Sequence, residues 1–279
     1  MSFAFMICGP LVIGWASIRF TQEKEISARK AFFLPFIPVL LGCLITSVLK
    51  VEGLICIAMY LPAGLILAGI GGLWGRLTIM KSNKIVLVML ILPFATHLTE
   101  KNINFETESH FVKNSIAINR SASKVWNEIK SVRTIKKDEL PDSWVHKIGF
   151  PRPLDAEIDK EPVGGIRTAN FERGLQFIET VNRWEPNKLI SFQIDIDPKK
   201  IPPGALDEHV SIGGPYFDVL HGTYEIETLN SGQVILHLQS EFRLSTHFNF
   251  YASIWTDLIM HRIQYDILSV VKKRAEMAN

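Results

Sequence analysis

The side chains best able to move protons fall in three places. Glu179 stands on an alternating segment, Leu175–Trp184, with Leu175, Phe177 and Val181 on its own face. A carboxyl in such apolar company is desolvated, which disfavours its charged form and suits it to general acid or base work. It could instead pair with Arg167 as a structural ion pair. The second place is a long loop, Pro198–Tyr216, carrying Asp207-Glu208-His209 and Gly213-Gly214-Pro215-Tyr216. His209 could shuttle protons with Asp207 orienting it, and paired glycines let backbone approach a ligand. A surface lid with solvated charges is the plainer reading. The third place holds Asp218 and Tyr224, read on one strand face with Leu220 and Ile226. A tyrosine hydroxyl can anchor one end of an apolar ligand, although core polar groups satisfied by neighbours fit the same pattern. The candidate catalytic residues are therefore Glu179, His209 and Asp218. The candidate ligand contacts are Arg167, Phe177, Glu179, Phe192, Asp207, His209, Tyr216, Asp218, Tyr224 and Trp255.

Other chemistries lack their residues. The chain has no HExxH, no GxSxG and no Walker loop, and these carry zinc, serine-nucleophile and phosphate chemistry. Gly69-Ile70-Gly71-Gly72-Leu73-Trp74-Gly75 has Trp74 where a dinucleotide fingerprint needs glycine. Asp257 and His261 are one helical turn apart, but no third ligand is near in sequence, and zinc needs three or four. Cys8, Cys43 and Cys56 all lie in apolar runs, which excludes a disulfide framework or a cysteine zinc cluster beyond residue 99. No metal, nucleotide or other cofactor is expected. His221, Thr223, Glu225, His237, Glu241 and Arg243 alternate outward and read as a solvated cross-strand ladder.

Positioning these side chains takes strands and helices. His110–Asn119 alternates as a strand, and Ser121 is placed to cap a short helix running to about Ser131. Gly165–Phe171 with Leu175–Trp184, and Phe217–Thr228 with Gln233–Leu244, read as hairpins; Leu189–Ile196 is the strand between them. Val234, Leu236, Leu238, Phe242 and Leu244 are expected to point inward. A closing helix, Phe248 to Ala275, carries Trp255, Ile259, Ile263, Ile267 and Val271 as its inward stripe. Ser253, Asp257, His261 and Gln264 are expected on its opposite side.

The run Ile116-Ala117-Ile118 before Ser121-Ala122-Ser123-Lys124-Val125-Trp126, the Trp184-Glu185-Pro186 turn, and the helix from Tyr251-Ala252-Ser253-Ile254-Trp255 through Arg274 resemble the START-like and polyketide cyclase/dehydrase superfamily. The resemblance covers roughly Phe111–Arg274. It implies an α+β helix-grip fold, a curved antiparallel sheet around a long C-terminal helix with an apolar cavity between them. It also implies that binding of a hydrophobic ligand, or a cyclase or dehydratase activity, belongs to that cavity.

Residues 1–99 are written for a different solvent. Mean hydropathy over the whole chain is +0.17, yet the first 99 residues are mostly apolar segments: Phe3–Ile18, Ala31–Leu49, Leu54–Trp74 and Ile85–Leu98. A spanning helix needs about 20 apolar residues, so an all-α transmembrane bundle of about four helices is expected at 1–99, ahead of the helix-grip domain at 100–279. The first segment lacks a basic n-region and a small-residue cleavage site, and is read as a retained helix. This region carries eight Lys and Arg against three Asp and Glu, while residues 100–279 carry 22 against 25. The basic excess thus belongs to the connectors, and nucleic acid is not an expected partner. Arg19, Lys24, Arg29 and Lys30, then Arg76, Lys81 and Lys84, place the first and third connectors in the cytoplasm. Four crossings would leave the C-terminal domain extracytoplasmic; a fourth segment lying on the surface would leave it cytoplasmic. Gly64, Ala68 and Gly72, with Gly71 and Gly75, let helices approach closely, either within this bundle or in a homo-oligomer.

The leading expectation is membrane-tethered binding of a hydrophobic or amphipathic small molecule, lipid-like or isoprenoid-like. The alternatives are a cyclase or dehydratase using Glu179, His209 or Asp218, and a module that docks a membrane partner.

Overall fold

Strict alternation of apolar and polar residues builds the sheet, because successive side chains of a strand point to opposite faces. The computed structural model describes residues 4–21, 25–78, 91, 93–96, 107–206, 212–229, 232–246 and 248–277. The chain divides into two compact units: Met1–Glu106 with Thr246–Phe248, and Thr107–Ser245 with Asn249–Asn279.

The second unit contains strands β1 (Glu108–Ile118), β2 (Pro153–Ile158), β3 (Ile166–Phe171), β4 (Gln176–Glu185), β5 (Leu189–Asp195), β6 (Phe217–Thr228) and β7 (Val234–Leu244). They form one sheet in the order β1-β7-β6-β5-β4-β3-β2, every neighbouring pair antiparallel. The sheet curls as a half-barrel, and a long C-terminal helix completes a helix-grip arrangement. β7 shows the rule most plainly, since every second residue from Val234 to Leu244 is buried.

In the first unit, the helices α1 (Gly9–Arg19), α2 (Ala28–Phe33), α3 (Phe36–Val48) and α4 (Leu54–Thr78) precede the sheet. By length and composition, Ala28–Val48 and Leu54–Thr78 suffice to cross a membrane; Met6–Arg19 is a shorter apolar helix. Most of the predicted fourth segment lies outside the described residues. The small residues of α4 serve packing inside this unit. A Cβ on Gly71 would meet the backbone of Leu11, one on Gly72 the backbone of Ala31, and one on Gly14 the backbone of Ala68. Only hydrogen at these positions lets α4 lie so close to α1 and α2. Trp15 Nε1 donates to Thr78 Oγ1 at 2.9 Å, which satisfies a polar group that burial would otherwise strand.

α5 (Ala122–Lys130) follows β1 and buries Val125, Trp126 and Ile129. Ser121 takes the N-cap position in extended conformation, but its side chain makes no capping bond. A single turn, α6 (Trp144–Lys147), comes next, and α7 (Asn249–Met277) closes the chain. The inner face of α7 differs from the predicted stripe. Ile259, Gln264, Leu268, Val271 and Ala275 are buried, whereas Trp255, Ile263 and Ile267 are only half-buried. Residues four apart advance about 400° on a helix of 3.6 residues per turn, so five of them drift about 160° around it. Spacings of three and four, as in 264, 268, 271 and 275, hold one face. Gln264, expected on the wet side, is 2% exposed. Its Nε2 donates to the Val112 carbonyl at 3.1 Å and to Ser240 Oγ at 2.9 Å.

The main core joins Ile118, Val125, Trp126, Ile129, Ile190, Phe192, Leu236, Leu268 and Val271, between the sheet, α5 and the second half of α7. A second cluster holds Leu175, Ala205, Leu206, Ile212 and Val219, with Phe150, Phe171, Phe177 and Ile194 against it.

Candidate functional site

Strand register brings five of the candidate residues to the inner face of the sheet. Arg167 on β3 lies opposite Glu179 on β4. Glu179 lies opposite Ile194, and Val181 opposite Phe192 on β5. Ile190, two residues before Phe192, faces Tyr224 on β6. Cross-strand partners share a face, so Arg167, Glu179, Phe192 and Tyr224 meet there. Phe177, opposite Ala169, continues this row towards the second apolar cluster.

Arg167 Nη1 donates to Glu179 Oε2. Their side chains are 4% and 12% exposed. The guanidinium carbon sits 5.0 Å from the centre of the Phe192 ring and 6.0 Å from that of Tyr224, within reach of cation–π attraction. Burial opposes the charge on Arg167, and the neighbouring Glu179 and Tyr224 outweigh it, so the guanidinium holds its proton more firmly than usual. Burial pushes the Tyr224 hydroxyl up, with Glu179 adding to the push and Arg167 opposing it. Arg167 Nε is buried and has no hydrogen-bond partner among the described residues. The arrangement is a charge-balanced pair with one donor to spare, walled by two aromatic rings.

The other candidates lie elsewhere. Asp218 is on the opposite face from Tyr224, contrary to the expectation. β6 carries a bulge between Val219 and His221, with Leu220 as the extra residue. One extra residue reverses the alternation. Val219 therefore faces Phe242 in the core, and Asp218 faces Arg243 on the outer side, with Oδ2 4.0 Å from Nη2. Partial burial raises the Asp218 pKa, Arg243 counters it, and Asp195, also outward, adds to it. Tyr216 is 43% exposed. Trp255 is half-buried on the first half of α7. Asp207 and His209 lie outside the described residues.

Outward-facing histidines make side-chain contacts of their own. His237 Nδ1 is 2.6 Å from Ser115 Oγ, and Nε2 is 3.1 Å from Glu227 Oε2. His261 Nδ1 contacts Asn114 Oδ1 at 3.0 Å. No group of three or more His, Cys, Asp or Glu suited to a metal occurs among the described residues. The sequence reading missed a buried set, His146 with Asp266, beside Arg262. The signal for it was the Arg262–Asp266 spacing of four on a helix, a spacing at which opposite charges meet.

No family model matches the chain. No curated protein matches it either. Solved structures with a similar chain path include a truncated norcoclaurine synthase from Thalictrum flavum, at 13% identity and TM-score 0.38, covering 63% of this chain and 99% of the other. The ZhuI aromatase/cyclase from Streptomyces sp. R1128 is 16% identical with TM-score 0.38, covering 61% of this chain and 94% of the other. An uncharacterised protein from Bacillus thuringiensis is 14% identical with TM-score 0.38, covering 61% and 100%. Values this low assign neither family nor activity.

Proposed function

We propose that the unit of residues 107–245 and 249–279 binds an apolar or amphipathic small molecule against the inner face of its sheet, and that the N-terminal helices tether it to a membrane. The observation that carries this reading is Arg167. A buried ion pair is costly, and well-packed apolar residues in its place are often as stable or more so. Here the pair also leaves a donor unused, ringed by Phe192 and Tyr224. A ligand with one polar acceptor at the end of an apolar body would satisfy that donor while its body lay along Phe177 and Ile194. Such a tether would raise the local concentration of molecules drawn from a bilayer.

The test is to purify the full chain in mild detergent and identify small molecules retained by it, using native mass spectrometry after detergent removal. The wild type is expected to retain an apolar compound, and the Arg167→Met, Glu179→Leu double variant to lose it while staying folded. Equal retention by both would refute the assignment to this pair.

Catalysis by Glu179 with Asp218 draws no support from the geometry, since one faces inward and the other outward. A docking role has one specific observation in its favour. Phe250, Ile254 and Leu258, spaced four apart on α7, are 73%, 54% and 52% exposed, and clustered exposed apolar side chains mark interaction sites. Leu258→Glu would abolish such docking and leave small-molecule retention unchanged.

A further inference from the structure

The inner face of the sheet carries an acid and a base, and the sum of their charges decides what can be buried beside them. Arg167 is buried, and its Nη1 donates to Glu179 Oε2. Glu179 and the Tyr224 hydroxyl are the groups that act on the guanidinium charge. Burial pushes that hydroxyl up, so it stays neutral. The surroundings are apolar: Val181, Phe192 and Leu238 in the main core, then Phe177 and Ile194 towards the second cluster. Among the described residues the other buried charged side chain is Asp266, which sits beside Arg262 on α7. The face is therefore neutral as a whole, and the described residues hold no further charge there to set against a newcomer.

That balance fixes the character of a guest. Arg167 Nε is buried without a hydrogen-bond partner among the described residues, so it calls for an acceptor. A carboxylate, sulfate or phosphate head would accept, but Glu179 has already neutralised the guanidinium. The pair would become a triad with a negative charge in excess, out of water, where an uncompensated ion is costly. An anion that displaced Glu179 would leave that carboxylate buried and unpaired, at the same cost. An ammonium head offers no acceptor and adds an excess positive charge. A carbonyl or ether oxygen accepts from Nε and brings no charge.

We infer that the Arg167–Glu179 pair is a charge filter: it admits apolar molecules that end in an uncharged oxygen acceptor, such as an ester or a ketone, and turns away fatty acids and other anions of the same shape. This rests on the binding proposed above and adds the class of ligand. The two residues divide the work. Arg167 supplies the donor that recognises the oxygen. Glu179, which need not touch the ligand, sets the charge that the site tolerates. An arginine alone on this face would select the opposite class, because a guanidinium pairs most strongly with a carboxylate.

The test equilibrates the full chain in mild detergent at about pH 9, where a carboxylic acid is ionised, with an equimolar mixture of methyl palmitate, palmitate and hexadecane. Mass spectrometry then quantifies what the protein retains over a detergent-only blank. Wild type should retain methyl palmitate at least about tenfold over palmitate. It should also retain the ester about fivefold over hexadecane, which offers no acceptor. Glu179→Gln should reverse the first order and favour palmitate about tenfold, because the guanidinium then lacks a counter-charge. The wild-type ratios decide the matter without that variant, should it fold poorly. Equal retention of ester and acid by wild type, or an unchanged order in Glu179→Gln, would overturn the filter and leave the binding itself standing. Hexadecane held as well as the ester would overturn the role of Arg167 Nε. Retention of none of the three would remove the proposed binding and the filter with it.

Discussion

Replacing Glu179 by Gln keeps the shape of the side chain and removes its charge. Arg167 then remains 4% exposed with no carboxylate beside it. Stripping one partner from a buried ion pair costs about 3–5 kcal/mol, because the survivor is left uncompensated. At about 2–4 °C per kcal/mol for a domain of this size, the sheet-containing unit should melt roughly 6–20 °C lower. The converse single change, Arg167→Met, leaves Glu179 without its cation and should cost a similar amount. Removing both charges with Arg167→Met and Glu179→Leu should return the unit to within about 1–2 kcal/mol of wild type, since an apolar replacement avoids both desolvation penalties. The singles and the double form a cycle whose coupling term isolates the pair. Thermal melts of the full chain in mild detergent, followed by near-ultraviolet circular dichroism, read the transition. A Glu179→Gln shift under about 2 °C, or a double variant as unstable as the singles, would refute the view that the two charges are buried together.

Three further outcomes follow from other contacts. Hydrogen bonds from Arg274, with the Lys136 amide assisting, hold the Glu139 carboxyl at about 2, down from an ordinary 4.5. A depressed carboxylate stabilises the fold above its unfolded value and loses that effect as the pH falls through the folded one. The loss therefore falls between about pH 4.5 and 2, and a pH series of melts should show Glu139→Gln about 2–3 kcal/mol less stable at neutral pH and level with wild type in strong acid. Gln264→Leu removes two buried donations, to Val112 and Ser240, and urea titration should show a loss of about 1–2 kcal/mol. Gly71→Val drives a side chain into the Leu11 backbone and should destabilise the N-terminal unit by about 1–3 kcal/mol in a thermal melt. Gly42→Ala, with nothing within 4 Å of the new Cβ, should leave that unit unchanged.

Much of the sheet was legible because burial of one face imposes a period of two. Val234, Leu236, Leu238, Phe242 and Leu244 point inward as their alternation requires. Glu179 was found from the apolar company of Phe177 and Val181, and its partner Arg167 was visible as the competing structural reading. Asp218 was misplaced because a bulge is a feature of two paired strands. Nothing in the local pattern of β6 marks Leu220 as the extra residue. The inner stripe of α7 was misread because a run of spacings of four looks regular in sequence yet precesses around a helix. The small residues of α4 were seen correctly as a close-packing surface, and their partners were not, since Leu11 and Ala31 contribute backbone oxygens that carry no sequence signature. His146 and Asp266 escaped because they are far apart in the chain and approach each other only where two helices pack.

The order of the strands bears on how the domain is made. β1 is an outer strand, and among the described residues its only neighbour in the sheet is β7; Ile118 and Val234 are partners 116 positions apart in the chain. The first strand to leave the ribosome must wait, apolar side bare, until nearly the whole domain has been translated. Such distant pairing makes assembly slow and leaves the nascent chain open to wrong associations. The domain should therefore lean on a chaperone during synthesis more heavily than a fold whose early strands zip to their immediate successors.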